Sequence, residues 1–238
     1  MKKFFYSLMA AAALTACSGE YVPVETFIEA EDPLTEEQEA AWDGVSKKFN
    51  AAWGCPDSQY ARSIVPEKVC DKPFHLTVWK GERASAQVVV WTAEGLDGVE
   101  CKVGDFKGEG AVMPASIAEA RFVRYTLADK SDAHCLCNRK TDHPAVLVPD
   151  MLDSLSHFDM AAQTVRPVWV TVYLPMFMDA GVYKSKVTII DNNGDKVRLP
   201  FEVEVVEDGM HEPEEWTFHL DLWQHPAAVA RAEGLELW

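Results

Sequence analysis

The sequence predicts a mainly β fold, an antiparallel β-sandwich preceded by a signal peptide and one helix. Three observations carry that expectation. Apolar and polar residues alternate along several segments between residues 73 and 206, as they do on strands with one buried face. Turn residues of the Gly, Asn and Asp type separate those segments. The composition is globular, 48% hydrophobic and 25% charged over 238 residues, which excludes collagen-like, low-complexity and purely coiled-coil chains.

Lys2 and Lys3 followed by an apolar run from Phe4 to Leu14 form a secretory signal, too short to span a bilayer. The run ends in Leu14-Thr15-Ala16-Cys17 and resembles a bacterial lipobox, which makes residues 1–16 a lipoprotein signal peptide and Cys17 the lipidation site. Ser18 after the cysteine points, by the same resemblance, to an outer-membrane lipoprotein on the periplasmic or cell-surface side. Residues 17–34 are acidic, carry Pro23 and Pro33 and lack periodicity, so they read as a tether.

Thr35 to Trp53 reads as one helix. Thr35 and Gln38 fit a capping box, Trp42, Val45, Phe49 and Ala52 recur at helical spacing, and Gly54 is placed to end it. Strands follow. Phe74, Leu76 and Val78 share one face, Lys80-Gly81-Glu82 turns the chain, and Arg83 to Thr92 returns with Val88-Val89-Val90 buried on both faces. Val99–Phe106 and Ala118–Leu127 are further candidates. Ala128 to Thr164, including Val148-Pro149-Asp150-Met151-Leu152, reads as a long loop that carries a binding edge or meets another domain. Val168, Val170, Val172 and Leu174 then line one face against Trp169, Thr171 and Tyr173. Gly181 to Ile190, a hairpin turn at Asp191–Asp195 and a strand through Val197, Leu199, Phe201, Val203 and Val205 complete the sandwich. The domain spans residues 35–208.

The balance of charge limits the partners. Twenty-two Lys and Arg against 38 Asp and Glu give −16, which repels phosphate backbones and argues against nucleic acid. Of the cysteines beyond Cys17, Cys55 and Cys70 are the nearest candidates for a disulfide, with free thiols the alternative. Cys135-Leu136-Cys137 with His134 and His143 lacks zinc-knuckle spacing, so no metal and no cofactor are expected. Trp79, Trp91 and Trp169 offer rings for sugar stacking, yet each sits in an alternating strand, where core or seam packing is the expectation.

Three strings carry a family resemblance. Gln163 to Val172 (QTVRPVWVTV) with Ala180-Gly181-Val182-Tyr183, and Lys80-Gly81-Glu82 with Gln87 and Val88, resemble sandwich domains that precede bacterial glycosidase barrels. Trp216 to Ala230 (WTFHLDLWQHPAAVA) resembles the start of the catalytic barrel in glycoside hydrolase family 123 and its relatives in Bacteroides-type bacteria. The resemblance implies that residues 209–238 are the first strand and short helix of a (β/α) barrel whose remainder is missing. Pro226–Glu233 would be the helix and Gly234 its terminator.

The resemblance also implies hydrolysis of terminal β-linked N-acetylgalactosamine. An aspartate holds the substrate's acetamido group as it attacks the anomeric carbon, and a neighbouring glutamate protonates the leaving oxygen. No Asp-Glu dipeptide occurs in the chain, and the reversed pairs Glu31-Asp32 and Glu207-Asp208 read as solvated charge, so no catalytic residue is assigned. Asp221, His219 and Gln224 are the candidates for substrate contact at a strand mouth. The expectation is a chain inactive alone, the sandwich of a lipid-anchored glycoside hydrolase that braces its barrel. The alternative is a stand-alone surface lipoprotein that binds glycan or a protein partner.

Overall fold

In the computed structural model the described residues are 29–45, 49–129, 145–217 and, singly, 227, 230, 231 and 234. The signal, Cys17, the Cys135–Cys137 segment with His134 and His143, and most of the tail lie outside them. A helix, α1 (Glu36–Asp43), precedes strands β1 (Asn50–Gly54), β2 (Val69–Cys70), β3 (Phe74–Lys80), β4 (Arg83–Thr92), β5 (Leu96–Val103), β6 (Phe106–Lys107) and β7 (Val112–Met113). Then come β8 (Ala118–Asp129), β9 (Ala145–Leu152), β10 (His157–Met160), β11 (Thr164–Tyr173), β12 (Gly181–Ile190) and β13 (Lys196–Gly209).

The strands form two sheets. One runs β2-β1-β4-β11-β8-β9; the other runs β10-β5-β12-β13-β3, with β6 and β7 attached beside β12. Their facing sides share a core of Val88, Val90, Val168, Val170 and Val172 against Val187, Ile189, Leu199, Phe201 and Val203. Trp53 fills its end, stacked on Phe74 at 5.0 Å and beside Phe201 at 5.2 Å, with its indole N–H donating to the Pro200 carbonyl at 2.9 Å. The sandwich is therefore as expected, with one difference. β13 and β3 pair in parallel, Phe201 opposite Phe74, while the other pairs are antiparallel.

The helix expected over residues 35–53 is shorter. The capping box holds: Gln38 N–H donates to Thr35 Oγ1, and Thr35 N–H donates to Gln38 Oε1 at 2.9 Å. The helix nevertheless stops at Asp43, where the Gly44 N–H caps the Ala41 carbonyl. The residues beyond belong to the opposite side of a sheet. Trp42 and Val45 pack on the outer face of the six-stranded sheet, whereas Phe49, Ala51 and Trp53 pack in the core between the sheets. One helix stripe cannot serve both faces, and five ladder pairs with β4 fix Asn50–Gly54 as strand. Gly54 ends no helix; a Cβ there would meet Val89 Cγ2 at 2.7 Å and the Tyr60 ring at 2.9 Å, so a close approach demands the glycine.

Two other expectations change. The loop expected over 128–164 contains β9, paired with β8 from Val123↔Leu152 to Asp129↔Ala145, and β10, paired with β5. Pro149 fits β9 because that strand is a sheet edge, where a missing N–H does no harm. The single strand expected over Val99–Phe106 is split at Gly104, whose N–H donates to the Lys186 carbonyl at 2.9 Å. The hairpin turn forms as predicted. Gly194 takes φ +85°, and the buried Asp191 carboxylate accepts from the N–H groups of Asn193 and Asp195 at 3.0 and 2.9 Å. At the other end Gly81 takes φ +79° in the β3–β4 turn.

Val88, Val89 and Val90 are all fully buried, as read from the sequence. Val89 points away from the core to a second cluster with Trp42, Tyr60 and Val165, which α1 and the 55–69 segment seal over the outer face. Among the described residues no helix is long and apolar enough to cross a membrane.

Candidate functional site

Of the residues expected to touch substrate, Asp221, His219 and Gln224 lie outside the described residues. The stretch before them leaves β13 through one turn of 3-10 helix (Pro213–Glu215), and Trp216 and Thr217 are irregular. Ala227, Ala230 and Arg231 are helical and Gly234 takes φ +64°. Cys55, Cys70 and Cys101 are unbridged thiols. Among the described residues no group of three His, Cys, Asp or Glu is arranged to hold a metal.

A buried ionic assembly lies where β8 leaves β11. Their ladder ends at Val168↔Phe122, next to Pro167, which has no N–H to offer. The side chain of Arg166, 4% exposed, fills the gap, donating to the Val123 carbonyl at 2.8 Å and to both carboxylate oxygens of Glu29, which is 8% exposed. Glu29 also accepts from the Tyr125 N–H at 2.9 Å and from Arg62 at 3.2 Å. The guanidinium of Arg166 lies 4.1 Å from the Phe158 ring centre and 5.0 Å from that of Tyr125. Burial works to raise the Glu29 carboxyl. The hydrogen bonds and charge of Arg166, the Tyr125 N–H and the charge of Arg62 outweigh it, so Glu29 titrates below the ordinary glutamate value. Burial likewise pushes the Tyr125 hydroxyl well up, beside the carbonyls of Tyr60 and Val165 at 2.9 and 3.1 Å.

Residues 29–34, within the stretch read as tether, are thus docked. Asp32 accepts from the Ser63 hydroxyl and Leu34 packs against the outer cluster. Of the reversed pairs, Glu31, Glu207 and Asp208 are exposed. A buried partner for Arg166 was foreshadowed by a charge inside the apolar run Val165-Arg166-Pro167; nothing local singled out Glu29.

The three candidate tryptophans part ways. Trp91 packs against the outer cluster, as core packing predicts. Trp79 does not: it is 48% exposed on β3, an edge strand among the described residues. Trp169 is partly buried in a groove of about 420 Å³ on the outer face of the six-stranded sheet. One cross-strand row there reads Gly54, Gln87, Trp169, Arg121. Asp57 and Gln59 stand on one wall, Asp150 and Leu152 on the other. Asp150 and Leu152 fall in the stretch read from sequence as a binding edge or a meeting point with another domain, while Asp57 and Gln59 were missed; Pro149, a proline inside a strand, also marks an edge.

A second surface lies where the chain leaves β13. The Met210 N–H donates to the Lys80 carbonyl at 2.8 Å, and Met176 sits over Gly81 and Gly209. Phe177 is 81% exposed beside the half-exposed Met176, and Met210 and Trp216 are exposed as well.

Two packed, mainly antiparallel sheets with a helix sealed on one face define a β-sandwich domain. A family profile described as "Glycoside hydrolase 123 N-terminal domain" matches residues 53–191, more than half of the chain, and the chain belongs to that family. Among solved structures, a family 123 glycoside hydrolase from Clostridium perfringens, studied for glycolipid glycan hydrolysis, is similar with a TM-score of 0.67 at 17% identity. The alignment covers 78% of this chain and 32% of that one, so the chain spans about a third of that enzyme's length. A PapD-like domain of human CEP192 (TM-score 0.33, 14% identity, 78% of this chain and 99% of that one) and the N-terminal domain of PorA (0.32, 8%, 67% and 100%) are much less similar. No curated protein matches the chain. Residues 53–191 correspond to the N-terminal domain of a glycoside hydrolase family.

Proposed function

We propose that this chain is the amino-terminal part of a lipid-anchored glycoside hydrolase acting on glycans with terminal β-linked N-acetylgalactosamine, and that its sandwich braces the catalytic barrel. Membership of the family and the sandwich fold support the hydrolase reading. The observation that carries the bracing role is the apolar surface at the exit of β13. Phe177, Met176, Met210 and Trp216 lie exposed beside the point where the chain leaves the sandwich, so a domain continuing from there sits against them. Lipid on Cys17 would hold the assembly at the outer membrane, while Asp221, His219 and Gln224 would lie at the mouth of the first barrel strand near the sugar.

The test has two arms. The purified chain should release no N-acetylgalactosamine from a chromogenic β-linked substrate; measurable turnover overturns the non-catalytic role. Co-expressed with a family 123 catalytic barrel, it should co-purify with that barrel. Phe177→Ser with Met176→Ser should abolish the association and leave the chain's own melting temperature unchanged. Association that survives the double substitution overturns the assignment of this surface.

A further inference from the structure

We propose that the groove over Trp169 is a binding site for a neutral sugar ring. This goes beyond the reading above, since it concerns the sandwich alone and holds whether or not a barrel follows.

The tryptophans provide the first observation. The indole N–H groups of Trp42, Trp53 and Trp216 each donate to a backbone carbonyl, of Ser63, Pro200 and His211, at 2.9 to 3.0 Å. The Trp169 N–H has no acceptor among the described residues, although its ring is partly buried. Trp79 and Trp91 leave that donor open among the described residues as well, so what sets Trp169 apart is its place in a concave groove between polar walls, where ring and donor are available to a ligand or solvent. A groove of about 420 Å³ falls within the range of roughly 300–1,000 Å³ typical of small-molecule sites.

The walls give the second. The carboxylates of Asp57 and Asp150 and the amide of Gln59 also have no partner among the described residues. Both walls are held from beneath. Gln87 Nε2 donates to the carbonyls of Cys55 and Ser58 at 2.8 and 3.1 Å and fixes the loop carrying Asp57 and Gln59. Beyond Leu152, the buried Asp153 pairs with Arg124, and its N–H donates to the Phe122 carbonyl at 2.8 Å. The backbone that carries these acceptors is therefore held in place, which lowers the ordering cost of binding.

The chemistry then selects the ligand. An aromatic ring packs against the apolar face of a pyranose, and carboxylates accept from vicinal hydroxyls in charge-assisted hydrogen bonds. Two unpaired carboxylates on a chain of charge −16 repel uronic, sialylated or sulfated sugars and phosphate. The nearest cation in the row, Arg121, is paired with Glu119 at 2.7 Å. Two carboxylates without a third ligand do not make a metal site.

The experiment follows tryptophan indole N–H resonances of the 15N-labelled chain during titration with the methyl β-glycosides of galactose, glucose, mannose, N-acetylglucosamine and N-acetylgalactosamine. At least one should move the Trp169 resonance while those of Trp42 and Trp53 stay fixed. Methyl galacturonide should bind at least about tenfold more weakly than the best neutral glycoside. The Gln59 and Gln87 side-chain amide resonances should shift in the same titration, and Trp169→Ala should abolish that response; Trp169→Phe, which keeps a ring, should retain it with weakened binding. Asp57→Asn with Asp150→Asn should narrow the preference for neutral over anionic sugar. No response to any of the five glycosides, an unchanged response in Trp169→Ala, or tighter binding of the galacturonide each overturns the site.

Discussion

On one half of the outer face of the six-stranded sheet, Trp42 is 2% exposed, packed with Tyr60, Val89 and Val165, and its N–H donates to the Ser63 carbonyl. On the other half, Trp169 lies in a groove with no acceptor for its N–H among the described residues and with Asp57 and Asp150 on the walls. Sheet and residue type are shared. The difference comes from the cover: residues 29–34, α1 and the 55–69 segment close one half and stop at Gln87, which pins the border. A sheet face becomes a core or a site according to what the remote chain lays over it.

The largest effect expected is at the fastening of that cover. Glu29→Ala removes the partner of the buried Arg166 and should cost about 3 to 5 kcal/mol in urea unfolding. The same carboxylate sets an acid limit. Its folded pKa lies below its unfolded value, so the stability it adds is fully present above the ordinary glutamate pKa of 4.5 and is lost as pH falls through the lowered folded value. The melting temperature should decline in that acid window, and the decline should be shallower in Glu29→Ala. An equal decline in both proteins would assign the acid sensitivity to other groups and free Glu29 from the fastening role.

Within the sealed half, Trp42→Phe keeps a ring and deletes the N–H, leaving the buried Ser63 carbonyl without its donor. A loss of about 1 to 3 kcal/mol is expected by the same measurement. A neutral result would make the indole bond dispensable and weaken the contrast with Trp169.

The sandwich was legible wherever structure is local. The β3–β4 turn at Gly81, the hairpin at Asp191–Asp195 and the inward row Val168, Val170 and Val172 follow from period and turn chemistry alone. The end of α1 was not, because Trp42 and Phe49 share a helical spacing but pack on opposite faces of a sheet formed with distant β4. β9 was not, because its pairing with β8 depends on a partner rather than on its own pattern. The site was less legible still. Trp79 and Trp169 stand in similar alternating strands, yet one is exposed and the other lies between walls brought by residues 56–59 and 149–152. Alternation states which side of a strand a residue takes and is silent about what covers it.

The smallest stability effect is the one that decides the comparison. A ring kept for packing is missed when removed, whereas a ring kept for a ligand is missed only in binding. Trp169→Ala should therefore change the unfolding free energy by less than about 1 kcal/mol, with an unchanged denaturant slope, because the ring is partly open and its N–H leaves no orphaned acceptor behind. A loss as large as that of Trp42→Phe would show that Trp169 supports the sheet as Trp42 does. The two halves of the face would then differ in exposure alone, and the groove would be a seam in the packing.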